Sequence, residues 1–396
     1  MMQKLKDYDF TLMITPILLS AFGLVMIYSA SMVVAVVEGL ESTHYFFRQI
    51  QWFTIGLLGF IFCSIFPYKY YQNLMKLLIV IIILLLISVL FLGTTVNNAR
   101  SWFQFGPVSF QPAEFAKIGL IMYLASIYSK KQSYIHDFNK GVLPPLILTG
   151  IILGLIVLQP DIGTAAIIFL IACSVIFSAG IRFKHLLILV FIGLIVVAIA
   201  VPNMVTDVRV SRFTGAYQPF EAPETGGYQL IQSYLAIGVG GITGEGLGQS
   251  VQKLGYLTQA HTDFIMAVIA EELGFIGVII VISMIATIVL RGIFISRKCK
   301  DSFGALLALG ISSMVGIQAF INLGAISGIL PITGVTLPFV SYGGSSLLVL
   351  LASMGILNNI AKTVKQHEQQ QPATVQTEQN EERYAFNNRG GKTWLS

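Results

Sequence analysis

The chain has 396 residues, 55% of them hydrophobic and only 11% charged, with a formal net charge of +5 and a mean hydropathy of +0.78. Soluble domains carry about 25% charged residues, so a soluble globular protein is excluded, and continuous rather than alternating apolar runs exclude a transmembrane β-barrel. The basic balance fits lysine-bearing cytoplasmic loops and calls for no nucleic acid; Cys63, Cys173 and Cys299 have neither disulfide nor metal-ligand spacing.

Length and hydropathy predict an all-α, polytopic membrane protein, a bundle of about ten transmembrane helices. In chain order the spans are 10–36, 52–66, 74–92, 115–128, 142–158, 162–179, 186–201, 264–289, 303–330 and 346–360. The second and fourth are short and are expected to extend into their flanks. Lys4 and Lys6 precede the first span without a small-residue cleavage site, so no cleavable signal is expected. Lys69, the group Lys130, Lys131 and Lys140, the pair Arg182 and Lys184, and the group Arg297, Lys298 and Lys300 occupy alternate connections. Lys362 and Lys365 follow the last span. The positive-inside rule sends these connections and both termini to the cytoplasm. The membrane domain covers residues 1–365, and residues 366–396, rich in Gln, Glu and Asn, are predicted to form a disordered cytoplasmic tail.

The opposite connections are the unusual ones. Residues 97–111 read NNARSWFQFGPVSFQ and run into PAEFAK. Residues 159–164, QPDIGT, make a tight turn. Residues 202–262 form an extracellular loop of about sixty residues between the seventh and eighth helices, too long for a mere connector. Residues 331–346, PITGVTLPFVSYGGSS, dip toward a span. Every polar motif therefore faces one compartment. No internal repeat is visible, which gives no support to an inverted-repeat transporter.

The candidate chemistry centres on Asp263, where the long loop meets a membrane helix. It is read as a general base or a ligand for a cationic group, against the plainer reading of a helix cap. Glu271 and Glu272 lie two turns further into that helix, rotated roughly 80° and 180° from Asp263. Mid-membrane charges are costly, so these two should face protein or water, one at least as a structural partner. Glu114 and Lys117, both candidates for substrate binding, share a helix face; the ammonium is read as holding a phosphate or pairing with a carboxylate such as Asp263 or Glu114, against the plainer reading of a local pair that anchors the helix. Arg209 and Arg212 suit bidentate binding of pyrophosphate, or of lipid phosphates. Lys253 and His261 flank the aspartate motif as further substrate contacts, although a lone His is more often a local hydrogen-bonder. Asp161 is read as a turn residue bonding its own backbone. Residues 240–250, GGITGEGLGQS, lack the Gly-Lys-Ser/Thr ending of a nucleotide loop and are read as a tightly turned segment.

RSW at 100–102, QPAEFAK at 111–117, QPDIGT at 159–164, GYQLIQSYLAIGVGGITGEGLGQS at 227–250, AHTDFIMAVIAEELG at 260–274 and LPITGVTLPFVSYGGSS at 330–346 occur in this order. Together they resemble the SEDS family (shape, elongation, division and sporulation), the FtsW/RodA glycosyltransferases, over nearly the whole membrane region. The chain is more similar to the division branch than to the rod-shape branch. The resemblance implies a peptidoglycan polymerase that uses lipid II, a disaccharide-pentapeptide on undecaprenyl pyrophosphate, in septal wall synthesis at the bacterial cytoplasmic membrane. It implies Asp263 as the essential aspartate, Lys117 as the cavity cation, and Arg209 and Arg212 as loop arginines. Its implied partners are a class B penicillin-binding protein, other divisome membrane proteins and membrane lipids. No metal ligands and no cofactor are assigned; a divalent cation, Mg or Mn, is an alternative neutraliser of the pyrophosphate. Thr258 and Gln259 depart from the Pro-Glu common in the family, and Ala113 from its Ser. The competing reading from a different class is a lipid II flippase.

Overall fold

The computed structural model describes residues 7–390 apart from 97–98, 107, 133–134, 136, 183, 186, 188–189, 192, 194–210, 212–213 and 222. Most of the seventh predicted span and the arginines Arg209 and Arg212 lie outside the described residues.

Ten α-helices are described: α1 (Phe10–Val37), α2 (His44–Ile65), α3 (Lys69–Leu92), α4 (Pro112–Lys130), α5 (Leu143–Leu158), α6 (Ile162–Ser178), α7 (Tyr228–Gly240), α8 (Ile265–Lys298), α9 (Ser302–Ile326) and α10 (Gly344–Gly390). Among the described residues, seven helical segments are long and apolar enough to cross a membrane. As expected, α2 and α4 extend beyond their predicted spans. Aspartates start several helices: Asp9 accepts from the Thr11 and Leu12 amides, Asp161 from Thr164, and Asp301 from Gly304. Pro112 occupies the first turn of α4, where its missing N–H costs no bond.

Helix α9 is the hub. It packs against α4, α6, α8 and α10, and α10 lies along α2. Between α3 and α4 the chain forms a small antiparallel meander, β1 (Thr94–Val96), β2 (Ala99–Phe105) and β3 (Val108–Phe110). Thr94 pairs with Trp102, and Phe103 with Phe110. Arg100 ties the meander to the end of α3 by donating to the Gly93 and Phe91 carbonyls at 2.8 and 2.9 Å. This sheet is an addition to the all-α prediction.

Two further differences concern the long connection before α8. It contains a helix, α7, with Leu230, Ser233, Ala236 and Gly240 buried, which packs on α8. And α8 is two helices in one run, because Gly274 has φ 65° and ψ −164°. The bonds that the break removes are replaced by the glycine-rich segment after α7. The Glu271 and Glu272 carbonyls accept from the Glu245 and Gly246 amides, and the Phe275 and Ile276 amides donate to the Gly241 and Ile242 carbonyls. Main chain caps main chain, which meets the requirement that buried peptide groups be paired.

The break also corrects the expected depth of the two glutamates. Asp9 pairs with Arg291 of α8, and Asp301 follows the end of α8, so both caps mark one end of the bundle. At 1.5 Å per residue, Ser29 stands ~30 Å along α1 from Asp9, and Asn322 ~30 Å along α9 from Asp301. Glu272 bonds to Ser29 and the Asp263 carbonyl to Asn322. Both ends of segment 265–273 therefore sit at the opposite end of the bundle, and Glu271 and Glu272 are not carried two turns deeper.

Candidate active site

The motif Ala260–His261–Thr262–Asp263 closes the long connection and is pinned by its backbone. The Tyr342 amide donates to the His261 carbonyl at 2.9 Å. The Ser341 hydroxyl donates to the Thr262 carbonyl at 2.6 Å. The Asn322 side-chain amide donates to the Asp263 carbonyl at 2.8 Å. Three successive peptide groups are thus held from outside their own segment, by α9 and by the loop 331–343. That loop is fastened in turn: Ser341 accepts from the Leu337 amide, and Gln49 of α2 accepts from Gly343.

Phe264, not Asp263, stands at the N-cap position of α8, and it provides no side-chain cap. The half-buried Asp263 carboxylate lies 2.7 Å from the Thr262 hydroxyl, which is also 2.7 Å from Gln259 Oε1. One hydroxyl has one proton, so Thr262 serves the two acceptors alternately. Gly334 faces the carboxylate: it has φ +72°, and a Cβ there would lie 3.9 Å from Asp263 Oδ2.

One turn along α9 from Asn322, Gln318 reaches the second charged group. Lys117 Nζ donates to Glu114 Oε1 at 2.8 Å and to Gln318 Oε1 at 3.1 Å. Gln318 Nε2 donates to the Thr336 carbonyl and Asn322 Nδ2 to the adjacent Val335 carbonyl. Residues i and i+4 share a helix face, so α9 and the loop carbonyls bring the aspartate and lysine motifs together as neighbours. Lys117 is 2% exposed, and Glu114 Oε2 is buried without a bond. Gln111 of the same motif donates to Asp161 at 2.9 Å. Asp161 is a cap, as expected, and burial raises its carboxyl above the usual range despite the Thr164 donors.

The remaining candidates separate from this cluster. His261 is buried, with ring centroids 4.7 Å from Tyr45 and 5.6 Å from Tyr342. Burial pulls its pKa down to about 4, so at neutral pH it is an uncharged imidazole. Lys253, a predicted substrate contact, is instead buried in an ion pair with Glu272 at 2.7 Å. A carboxylate removed from water requires such a counter-charge. Glu271 accepts from Ser250 and from the Val251 amide, so both glutamates are structural. Among the described residues no group of three or more His, Cys, Asp or Glu is placed to hold a metal ion. A small cavity of ≈ 70 Å³ lined by Lys69, Lys298 and Asp301 opens at the other end of α9 and is no part of the site.

Gln318 and Asn322, which join the two motifs, are the residues of the candidate site that the sequence reading missed. The available signal was an amide side chain at two positions four apart inside an apolar span, IQAFIN.

Residues 10–366 match the family of cell cycle proteins that comprises FtsW, RodA and SpoVE. The chain belongs to this family. It is 50% identical over 374 residues to the probable peptidoglycan glycosyltransferase FtsW of Bacillus subtilis, covering 92% of this chain and 93% of that protein. The stage V sporulation protein E of the same organism is 39% identical over 357 residues, covering 89% and 97% of the two chains. Among solved structures, a chain of a peptidoglycan synthase complex that coordinates polymerization and crosslinking superposes with a TM-score of 0.73 at 30% identity, covering 90% of this chain and 98% of that one. The rod shape determining protein RodA of Thermus thermophilus superposes with a TM-score of 0.67 at 29% identity, covering 89% and 96%. The polytopic helical fold of the FtsW/RodA/SpoVE family is therefore that of this protein.

Proposed function

We infer that the protein is a peptidoglycan glycosyltransferase that joins lipid II disaccharides into β-1,4 glycan strands at the outer face of the cytoplasmic membrane, in septal wall synthesis. The observation that carries this reading is the carboxylate of Asp263, half-buried and presented by a peptide segment pinned at three consecutive carbonyls. Such pinning holds a base in one geometry, and a positioned base contributes about 10²–10⁴-fold to rate.

In the reaction, the C4 hydroxyl of the acceptor N-acetylglucosamine attacks C1 of the donor N-acetylmuramic acid. The new C1–O4 bond forms as the bond from C1 to the lipid pyrophosphate breaks, with inversion at C1. Asp263 takes the hydroxyl proton, and the electron pair leaves with the pyrophosphate. Fixed positive charge near that leaving group lowers the barrier. Lys117, bonded to Gln318 one helical turn along α9 from the Asn322 that holds the Asp263 carbonyl, supplies a buried positive end; Arg209 and Arg212 are the candidates for direct phosphate contact. A divalent cation carried by the pyrophosphate would add to the same neutralisation through oxygen ligands. A class B penicillin-binding protein is the proposed crosslinking partner.

The test is polymer formation from purified lipid II in detergent, where no compartments exist, by the full chain with and without that partner. Polymer made by the wild type and absent with Asp263→Ala supports the reading. Polymer at the wild-type rate from the variant overturns Asp263 as base, and absence of polymer under all conditions, with lipid II flipping in vesicles, favours the transporter.

A further inference from the structure

The two glutamates at the end of segment 265–273 close a ring on the loop that leads to Asp263. Glu271 accepts from the Ser250 hydroxyl and, at 2.8 Å, from the Val251 amide. Glu272 pairs with Lys253 at 2.7 Å, and Ser29 of α1 joins both partners, accepting from Lys253 at 2.8 Å and donating to Glu272 at 2.6 Å. The chain between these closures runs from residue 250 through a series of tight turns to Asp263, then back along the first part of α8. Leu254, Leu257, Ala260, Thr262 and Phe264 each donate an amide to a carbonyl three or five residues earlier, so the outward arm is stiff. Asp263 stands near the midpoint of this cycle, opposite the clasp.

The clasp has no access to a substrate. Lys253 is 3% exposed, Glu272 0%, Glu271 1% and Ser250 2%. A buried ion pair adds little net stability compared with apolar residues of the same size. What it adds here is geometry, since it joins the start of the arm, the end of the strut and α1 at one point.

We propose that Lys253 and Glu272 are positioning residues for Asp263, acting on the turnover of bound substrate and not on its capture. The proposal rests on the reading of Asp263 as the base. Because a displacement of about 1 Å can cost 10²-fold in rate, loosening the clasp lowers kcat and leaves KM nearly alone.

The experiment compares the wild type, Lys253→Met, Lys253→Met/Glu272→Leu and Asp263→Asn, each as the full chain with its partner. It measures initial polymerisation rates over a range of lipid II concentrations, thermal unfolding in detergent, and amide hydrogen exchange over residues 254–264. The double variant carries no unpaired buried charge, so it should unfold near the wild-type temperature. Its kcat should still fall at least about tenfold, with KM within about twofold, and its exchange over 254–264 should accelerate. A kcat that returns with stability in the double variant overturns the proposal, as does a raised KM at unchanged kcat, or exchange that stays slow. Accelerated exchange with full activity also overturns it. Full activity in Asp263→Asn is the separate result that sinks the base itself, which the exchange data do not depend on.

Discussion

Asn322 donates from one side-chain nitrogen both to the main-chain carbonyl of Asp263, at 2.8 Å, and to that of Val335, at 2.7 Å. A single amide therefore holds the aspartate segment against the loop that faces its carboxylate. The site is assembled by side chains of α9 bonding to peptide groups, so its shape depends on residues that touch no reacting atom.

Replacing Asn322 with Leu keeps the volume and removes both bonds. The buried Val335 carbonyl and the part-buried Asp263 carbonyl both lose this donor, the buried one at a cost of about 1–3 kcal/mol. We expect lower thermal stability and a polymerisation rate reduced by about tenfold or more as the Asp263 peptide shifts. Wild-type rates from Asn322→Leu would show that the bridge does not orient the base.

Lys117 and Glu114 form a buried pair, 2% and 7% exposed. Lys117→Met leaves the carboxylate without its counter-charge, a loss of about 3–5 kcal/mol. The double variant Lys117→Met/Glu114→Gln should regain most of the unfolding temperature. Polymerisation should not return with it, since the positive charge proposed to offset that of the leaving pyrophosphate is gone. Recovery of both would reduce the pair to an anchor of α4.

Gly274 has φ +65°, and a Cβ there would approach Gly244 N to 2.4 Å and Ile242 O to 2.5 Å. Gly274→Ala should sharply lower the yield of folded protein and its unfolding temperature. Gly238, on α7, meets nothing within 4 Å and has an ordinary helical backbone. Gly238→Ala should be neutral or slightly stabilising, by up to about 1 kcal/mol. Equal behaviour of the two variants would contradict the described break in α8.

His261 binds a proton near pH 6.5 when unfolded and only near about 4 in the fold, chiefly through burial, with the Glu38 charge opposing. Between those values the unfolded chain holds more protons. This contribution to stability is complete above pH 6.5 and is lost as pH falls toward 4. The unfolding temperature of the wild type should thus drop between pH 7 and 5 more than that of His261→Phe, whose ring can still pack on Tyr45. Parallel curves would remove His261 as the cause.

Much of this architecture was readable in the residues. Long apolar runs predicted the spans, and the dense motifs around Asp263 and Lys117, far apart in the chain, meet at one end of the bundle. Other features were hidden for identifiable reasons. The break at Gly274 interrupts no hydrophobicity, since LGFIGV reads as continuous helix, and its replacement bonds come from a segment thirty residues earlier. In the meander at 94–110, β1 and β3 have three residues each, too few for periodicity to register. Lys253 looked like a substrate contact because nothing local announces that Glu272 lies against it. Gln318 and Asn322 bond to carbonyls, and a carbonyl has no signature in the sequence of its owner.

The backbone pairing between residues 241–246 and the interrupted helix carries a consequence for variation. Because peptide groups and not side chains complete both helix ends, the exposed Ile242 and Thr243 are free to change identity. Insertion or deletion of even one residue there would throw all four amide–carbonyl contacts out of register at once. This stretch should therefore tolerate substitution at those two positions while keeping a fixed length, and tags or reporters placed in it should fail where point changes pass.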